Sequence, residues 1–228
     1  MIKLALLTAL VYLPLHAESI TGTVVIHRKL TPRRVTAAVP LYQRGTTVAL
    51  SADAAGEDPL AVERGRVVVY IEGPGPTGAP VVAKMEQQNR RFVQETVVIP
   101  AGSKVSFPNL DPIFHNVFSL SKLKSFDLGN YPKGETRTVA FQQPGIVYVN
   151  CHLHPNMTAA IVVTPNAWST KADRDGHFTI DDVPPGKYTV VAWHKTAGFF
   201  RQQVEAGGSA QFLIPLEADG TLLTRGTR

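Results

Sequence analysis

Short runs rich in valine, isoleucine and aromatic residues, each bounded by a turn signal, occupy most of this chain. They are ITGTVVI (20–26), RVVVYIEG (66–73), ETVVIP (95–100), KVSFPN (104–109), TRTVAF (136–141), IVYVN (146–150) and AAIVVT (159–164). Such runs predict β-strands, and the triplets PAG, PKG and QPG at 100–102, 132–134 and 143–145 predict the turns between them. Beyond the N-terminal segment, no window shows a 3.6-residue apolar period. The sequence therefore predicts an all-β sandwich or barrel.

The N-terminal segment MIKLALLTALVYLPLHA combines a lysine with an apolar run over residues 4–15 and ends in a small residue. That order of a basic residue, an apolar core and a small residue is typical of a signal peptide. A membrane anchor is the alternative, but Pro14 and His16 interrupt the run, and a span needs roughly 20 apolar residues. We therefore expect a periplasmic or otherwise exported protein with no membrane span once the signal peptide, residues 1–17, is removed.

The charge of the chain argues against nucleic acid as a partner. Without the signal peptide, 22 of the 23 lysines and arginines remain against 18 aspartates and glutamates, which gives a net charge of +4. The excess is small and no run of basic residues accompanies it, so it does not indicate nucleic-acid binding. It favours, at most, an acidic protein partner or a membrane surface.

Two regions depart from the pattern of short apolar runs. Residues 29–65 lack alternation and are broken by prolines and glycines, which predicts an irregular insertion with room for a short strand or helix. Residues 171–216 alternate polar and apolar side chains and turn at Asp-Gly and Pro-Pro-Gly, which predicts a second, small β module. This module resembles the transthyretin-like or carboxypeptidase-regulatory-like β-sandwich, whose pattern is D-x-x-G-x-[FY] followed by P-x-G-x-Y. The matching residues are Asp173, Gly176, Phe178, Pro184, Gly186 and Tyr188.

The segment CHLHPNM, residues 151–157, holds the only cysteine of the chain, two of its seven histidines and one of its three methionines. Exported proteins usually pair their cysteines, and Cys151 has no partner within the chain, so we expect a metal to occupy its thiol. The segment is a loop between two predicted strands. In it, Cys-x-x-His-x-x-Met places a thiolate, an imidazole and a thioether at intervals of three. A cysteine, two histidines and a weak axial methionine are the ligands of blue copper electron-transfer centres.

This ligand set needs a second histidine from elsewhere in the chain. The candidates are His27, His115, His152, His177 and His194. His115 is preferred, because it follows the predicted strand 104–109 in a short linker, where a ligand from a neighbouring strand pair is expected. His177 follows a turn and His194 ends a strand of the second module, so we interpret both as ordinary surface or strand histidines.

Residues 92–164 resemble the cupredoxins. The shared framework is G-x-x-V-x-F-x-N, then His-Asn-Val, then P-G-x-V-x-V-x-C-x-x-H-x-x-M with a short, amicyanin-like ligand loop. The resemblance implies that one copper is bound by His115, Cys151, His154 and, axially, Met157. It also implies that Asn116 ties the two ligand loops together and tunes the metal.

The same resemblance implies a domain organisation. A cupredoxin-like Greek-key β-sandwich is expected over residues 18–165, with the insertion 29–65 inside it. The transthyretin-like β module follows at 166–217, and a C-terminal tail at 218–228. The first run, 20–26, can pair with either module, so its partner stays open. The combination resembles bacterial exported proteins known as methylamine utilisation proteins.

Other chemistries fit the loop less well. Cys151 and His154 as a catalytic pair would need an orienting group and an oxyanion site that the sequence does not show. Zinc prefers donors other than a thioether, a two-copper centre needs a second cysteine, and haem attachment needs C-x-x-C-H. His152 departs from the family, which has a small or polar residue there. Strand alternation predicts that its side chain points away from that of Cys151, but in a relaxed loop it would compete for the metal.

The residues and the resemblance together predict an electron carrier that is not an enzyme, with copper cycling between Cu(I) and Cu(II). The implied redox partner is an exported dehydrogenase or a c-type cytochrome. We expect electrons to pass at His154, ringed by the apolar residues Phe114, Leu153 and Pro155. Two alternatives remain at this point: a periplasmic copper carrier or storage protein of the same fold, and a structural or adhesive β protein in which the second module acts.

Overall fold

Strands form nearly all the regular structure in the two stretches that the computed structural model describes, residues 16–27 and 58–214. The strands are β1 (Glu18–Ile26), β2 (Val68–Glu72), β3 (Val82–Lys84), β4 (Gln87–Gln88), β5 (Arg91–Phe92), β6 (Thr96–Pro100), β7 (Ser103–Pro108), β8 (His115–Ser121), β9 (Lys124–Tyr131), β10 (Thr136–Phe141), β11 (Gly145–Asn150), β12 (Thr158–Thr164), β13 (Ser169–Lys171), β14 (His177–Val183), β15 (Lys187–His194), β16 (Gly198–Glu205) and β17 (Ser209–Ile214). The described part of the segment between β1 and β2 contains one short helix, α1 (Pro59–Arg64). The predicted all-β fold is confirmed.

Every predicted apolar run within these stretches forms a strand, namely β1, β2, β6, β7, β10, β11 and β12 in chain order. The predicted turns at 100–102 and 132–134 are also present, whereas QPG at 143–145 leads from β10 to the first residue of β11. Gly102 and Gly134 have φ values of 87° and 85°, which glycine adopts without the steric cost that other residues carry. Some predictions fall outside the described residues. They concern residues 1–15 of the predicted signal peptide, the insertion up to residue 57, the end of the second module and the tail.

The first sandwich consists of a five-stranded sheet, in the order β6-β12-β11-β8-β9, packed on a three-stranded sheet, β10-β7-β3. Alternate side chains of both sheets point inward, as the period-2 pattern of the strands predicts. The core between them contains, among others, Val105, Phe107, Val117, Phe141, Val149 and Ile161. Cys151 and Met157 belong to the same core, so the predicted ligand loop closes one end of this sandwich.

The second sandwich consists of a four-stranded sheet, β13-β2-β15-β16, packed on a three-stranded sheet, β14-β1-β17. The first strand thus has its partners in this sandwich: β1 is antiparallel to β14 and parallel to β17. β2 joins the same sandwich by pairing with β13 and β15. Both strands lie within residues 18–165, the range expected for the first module, although their pairing partners belong to the second sandwich. Along the described chain, β1 and β2 belong to the second sandwich, β3 and the strands from β6 to β12 form the first, and β13 to β17 complete the second.

The two sandwiches contact each other face to face. A small apolar cluster of Val68, Ala160, Val162 and Trp193, with Tyr70, Val98 and Ile146 beside it, joins the outer faces of the four-stranded and the five-stranded sheets. Four sheets are therefore stacked, with β12 in an inner layer. Both faces of β12 are covered, which explains why its sequence is a continuous apolar run and not an alternating one.

Helix α1 packs against the second sandwich, so the predicted insertion does contain a short helix. Asp58 caps its N-terminus by accepting a hydrogen bond from the Leu60 N–H at 2.9 Å. Glu63 on this helix lies 3.3 Å from Nε2 of His194 and 3.0 Å from Arg66. His194 is buried at the end of β15, with Nε2 of its ring beside this carboxylate. Within residues 16–27 and 58–214, no helix is long and apolar enough to cross a membrane.

Candidate metal centre

The two predicted ligand loops meet at one end of the five-stranded sheet. His115 is the first residue of β8, and Cys151 follows directly after β11. Strand β11 pairs with β8 on one side and with β12 on the other. The loop 151–157, which connects β11 to β12, therefore lies beside the start of β8. Hydrogen-bonded strands bring together residues that are distant in the sequence and hold them there.

Three of the predicted donors converge. Cys151 Sγ lies 3.9 Å from Nδ1 of His115 and 3.6 Å from Nδ1 of His154. One donor atom from each residue lies within 4.8 Å of the other two, and the two imidazole centroids are 4.7 Å apart. A metal bound at about 2.0 Å to nitrogen and 2.3 Å to sulfur requires a sulfur–nitrogen separation of no more than about 4.3 Å. The observed separations therefore fit one metal ion bound by all three residues.

The ligand loop is fixed by burial and by its own backbone. His115, Cys151 and Met157 are buried, and His154 is half-buried. The N–H of Cys151 donates to the carbonyl of Met157 at 3.2 Å, and the N–H of Met157 donates to the carbonyl of His154 at 2.9 Å. The loop is thus closed on itself, and the Met157 side chain is buried beneath it. An axial bond from the Met157 thioether stays a prediction.

A buried carboxylate, which the sequence analysis did not single out, orients the ring of His115. Oδ2 of Asp111 lies 2.7 Å from Nε2 of His115, and Asp111 is only 5% exposed. An ionised carboxylate can only accept hydrogen bonds, so Nε2 is the nitrogen placed to donate in this contact, and Nδ1 is the nitrogen on the side of Cys151. The sequence did contain one signal for this contact, a carboxylate four residues before a candidate ligand histidine. Outside a helix, however, a spacing of four residues does not predict that two side chains are in contact.

Asp111 is held in its ionised form. Burial raises the pKa of its carboxyl group, but the backbone N–H of Arg90, the His115 ring and the backbone N–H of Asn89 outweigh burial and leave the pKa below its usual value. The His154 pKa is also lowered, mainly by burial and then by the neighbouring His115 ring. A lowered pKa keeps the His154 imidazole neutral at neutral pH, which metal binding requires.

Asn116 contacts both residues 151 and 152 of the ligand loop. Its backbone N–H points to Cys151 Sγ at 3.5 Å, and its side-chain oxygen accepts a long hydrogen bond, 3.4 Å, from the N–H of His152. Its side-chain amide donates to Asp127 at 2.6 Å. These contacts agree with a residue that fixes the thiolate; its effect on a bound metal stays a prediction.

The His152 side chain points away from the donors, in the direction that strand alternation predicts. Its ring stacks on Phe118 with centroids 3.7 Å apart and planes inclined by 3°. Nε2 lies 3.4 Å from Oδ2 of Asp127, the carboxylate that also binds Asn116. The stack and the carboxylate occupy His152 outside the donor cluster, so it does not compete for a metal in this arrangement.

The remaining histidine candidates lie elsewhere. His27 is exposed after β1, and His194 is buried in the second sandwich. His177, the first residue of β14, is exposed beside Asp173 and Asp175. These three residues could also hold an ion, but all three are exposed. His154, one of the three donors, is half-buried, and its neighbours in the chain, Leu153 and Pro155, are exposed apolar residues. Phe114, which precedes His115, is 56% exposed.

Comparison with known proteins adds one family and several structures. The family described as polysaccharide lyase family 4, domain II, matches residues 164–208. This part of the second sandwich is the part that resembles transthyretin-like modules, and the match gives it a different family description. No curated protein matches the chain.

Similar solved structures include cupredoxins. A purple cupredoxin from Nitrosopumilus maritimus is 19% identical, with a TM-score of 0.34 over 36% of this chain and 99% of its own. A reduced amicyanin variant is 18% identical, with a TM-score of 0.35 over 42% of this chain and 97% of its own. The copper-containing nitrite reductase of Thermus scotoductus is 25% identical, with a TM-score of 0.33 over 37% of this chain and 22% of its own.

Proposed function

We propose that this protein is an exported copper-binding protein that carries one electron between redox partners. The observation that carries the proposal is the convergence of Cys151 Sγ with Nδ1 of both His115 and His154. A thiolate and two imidazoles, completed by a weak methionine ligand, form the donor set of blue copper electron-transfer centres. We assign the methionine role to Met157, because its side chain is buried in the core that contains Cys151.

Copper bound by these donors would supply a one-electron couple between Cu(I) and Cu(II). The residues of the chain keep the donors in one arrangement. The sheet fixes the start of β8 and the end of β11, Asp111 fixes the His115 ring, and Asn116 donates toward Cys151. A site held in this way rearranges little when its charge changes. His154 is the donor nearest to solvent, so we propose that partners exchange electrons along its ring.

The first expected result is a coloured protein. The chain without its signal peptide should bind one copper, and the oxidised complex should show an intense visible band from thiolate-to-Cu(II) charge transfer. Metal analysis and an absorption spectrum measure both quantities, and the zinc-loaded protein is the colourless control. Stoichiometric copper without the visible band, or stoichiometric zinc after growth with both metals, would contradict the proposal.

A substitution beside the site separates electron transfer from copper carriage. Phe114→Glu places a charge on the apolar surface next to His115, so it should slow electron exchange with a redox partner at least several-fold. It should leave the absorption spectrum nearly unchanged, because Phe114 is exposed and provides no donor. Stopped-flow kinetics with a c-type cytochrome or a small-molecule mediator measures the rate.

The matched control is Leu120→Glu on β8, the strand that begins at His115. Leu120 is 80% exposed and lies five residues beyond His115, about 17 Å along a strand, so this variant should exchange electrons at the wild-type rate. A copper carrier would behave differently. If bound copper passes readily to a chelator while neither cytochrome nor mediator exchanges electrons with it, carriage replaces electron transfer as the function.

We also propose that the physiological partner is an exported dehydrogenase or c-type cytochrome with an acidic docking surface. The support is the net charge of +4 that remains without the signal peptide. Opposite charges accelerate association, and salt screens them over about 10 Å at 0.1 M ionic strength.

A further inference from the structure

Three hydrogen-bond donors converge on the carboxylate of Asp111. Oδ1 accepts the backbone N–H of Asn89 at 2.6 Å. Oδ2 accepts the backbone N–H of Arg90 at 2.8 Å and lies 2.7 Å from Nε2 of His115. The N–H of Asp111 itself donates to Oδ1 of Asn109 at 2.9 Å. Both oxygens of this buried charge therefore have partners, which a charge removed from water requires.

The two backbone donors come from a strained turn. Asn89 and Arg90 connect β4 to β5 and have φ values of 54° and 55°. Positive φ at both positions is the pattern of a type I′ hairpin turn, whose second position is usually glycine. Asparagine tolerates this conformation, whereas it costs free energy for arginine. The turn thus maintains a strained residue at the point where its N–H reaches Asp111.

We infer that Asp111 is a positioning residue for the metal centre, whose carboxylate holds the His115 ring with Nδ1 toward Cys151 and makes that nitrogen a stronger donor. A carboxylate behind a ligand imidazole fixes the tautomer and raises the basicity of the ligand. Its negative charge also favours Cu(II) over Cu(I), so Asp111 lowers the reduction potential. The effects of Asp111 on copper affinity and reduction potential rest on the proposed function, whereas its effect on the orientation of the His115 ring does not.

A purely structural role for Asp111 predicts something different. A carboxylate that only binds the two N–H groups of the hairpin turn would stabilise the fold and leave the His115 ring free to choose its tautomer. Its loss would lower the thermal midpoint and change neither the proton position on the ring nor the relative affinity for the two copper states. These readouts separate the two roles.

The first measurement needs no metal. Nitrogen-15 NMR of the metal-free protein reports which ring nitrogen of His115 carries the proton. We expect Nε2–H in the wild-type protein, with slow exchange, and a mixture of tautomers in Asp111→Asn. A wild-type ring with its proton on Nδ1 would overturn the inference, and this result does not depend on whether the variant folds.

The second measurement uses copper. Asp111→Asn is expected to weaken Cu(II) binding by about 10- to 100-fold, with a smaller loss for Cu(I). Each tenfold difference between the two losses raises the reduction potential by about 59 mV. Competition with chelators gives the affinities, and voltammetry gives the potential. Unchanged affinities together with a lower thermal midpoint would show that Asp111 acts on the fold alone.

The matched control is Asn89→Gly. Glycine keeps the backbone N–H and accepts positive φ without strain, so the tautomer, the affinities and the potential should stay at wild-type values. If Asn89→Gly changes them as much as Asp111→Asn does, the turn sets the ring and the inference is wrong. If the wild-type protein binds no copper, the proposed function fails while the NMR result still decides the role of Asp111.

Discussion

A Cys151→Ala variant is expected to lose the visible band completely and to gain no thermal stability from copper, while it remains folded. The band requires a thiolate on Cu(II), and the chain has no second cysteine. The substitution also removes the sulfur that the buried N–H of Asn116 approaches at 3.5 Å. We therefore expect the metal-free variant to be less stable by about 1–3 kcal/mol. Absorption spectra and melting curves with and without copper measure these effects.

The wild-type protein should melt at a higher temperature with copper than without it, since a ligand that binds only the native state stabilises that state. Met157→Leu is the matched control in the same loop. It should keep the band and raise the reduction potential, because a weak axial thioether stabilises Cu(II). A band that survives in Cys151→Ala would exclude the thiolate as a ligand. A lower potential in the leucine variant would exclude Met157 as the axial one.

Trp193→Ala is expected to destabilise the protein by about 3–5 kcal/mol. Trp193 is fully buried between the two sandwiches, in the cluster with Val68, Ala160 and Val162. Its removal leaves a cavity in the apolar contact between the two sandwiches. Urea unfolding followed by circular dichroism measures the loss, because the substitution itself changes the tryptophan fluorescence.

Trp193→Phe is the corresponding control. It keeps an aromatic ring in the cluster and removes the indole N–H, which has no hydrogen-bond partner among the described residues. Part of the cavity cost is therefore offset by the loss of a buried polar group, and the variant should be clearly more stable than Trp193→Ala. A loss below 1 kcal/mol for Trp193→Ala would show that the two sandwiches are stable without this contact.

The sequence predicted the elements and the donor cluster because both depend on local patterns. Valine and isoleucine in short runs form strands wherever one or both faces are buried, and glycine after a strand permits the turns at 102 and 134. Cys151 and His154 are three residues apart in one loop. His115 begins β8, which pairs with β11, the strand that ends directly before Cys151. Close spacing and strand pairing are enough to bring Cys151, His154 and His115 together.

Only the tertiary structure decided which strands share a sheet. Alternation shows that one face of β1 or β2 is buried, but it does not name the sheet that covers it. β1 pairs with β14 and β17, two strands far along the chain, and this is the choice that the sequence left open. The roles of Asp111 and Trp193 also depend on partners that only the tertiary structure decides. The hairpin turn and the facing sheet that define their roles are brought to them by folding, and hydrogen-bond partners and packing contacts of that kind leave no periodic signal in the sequence.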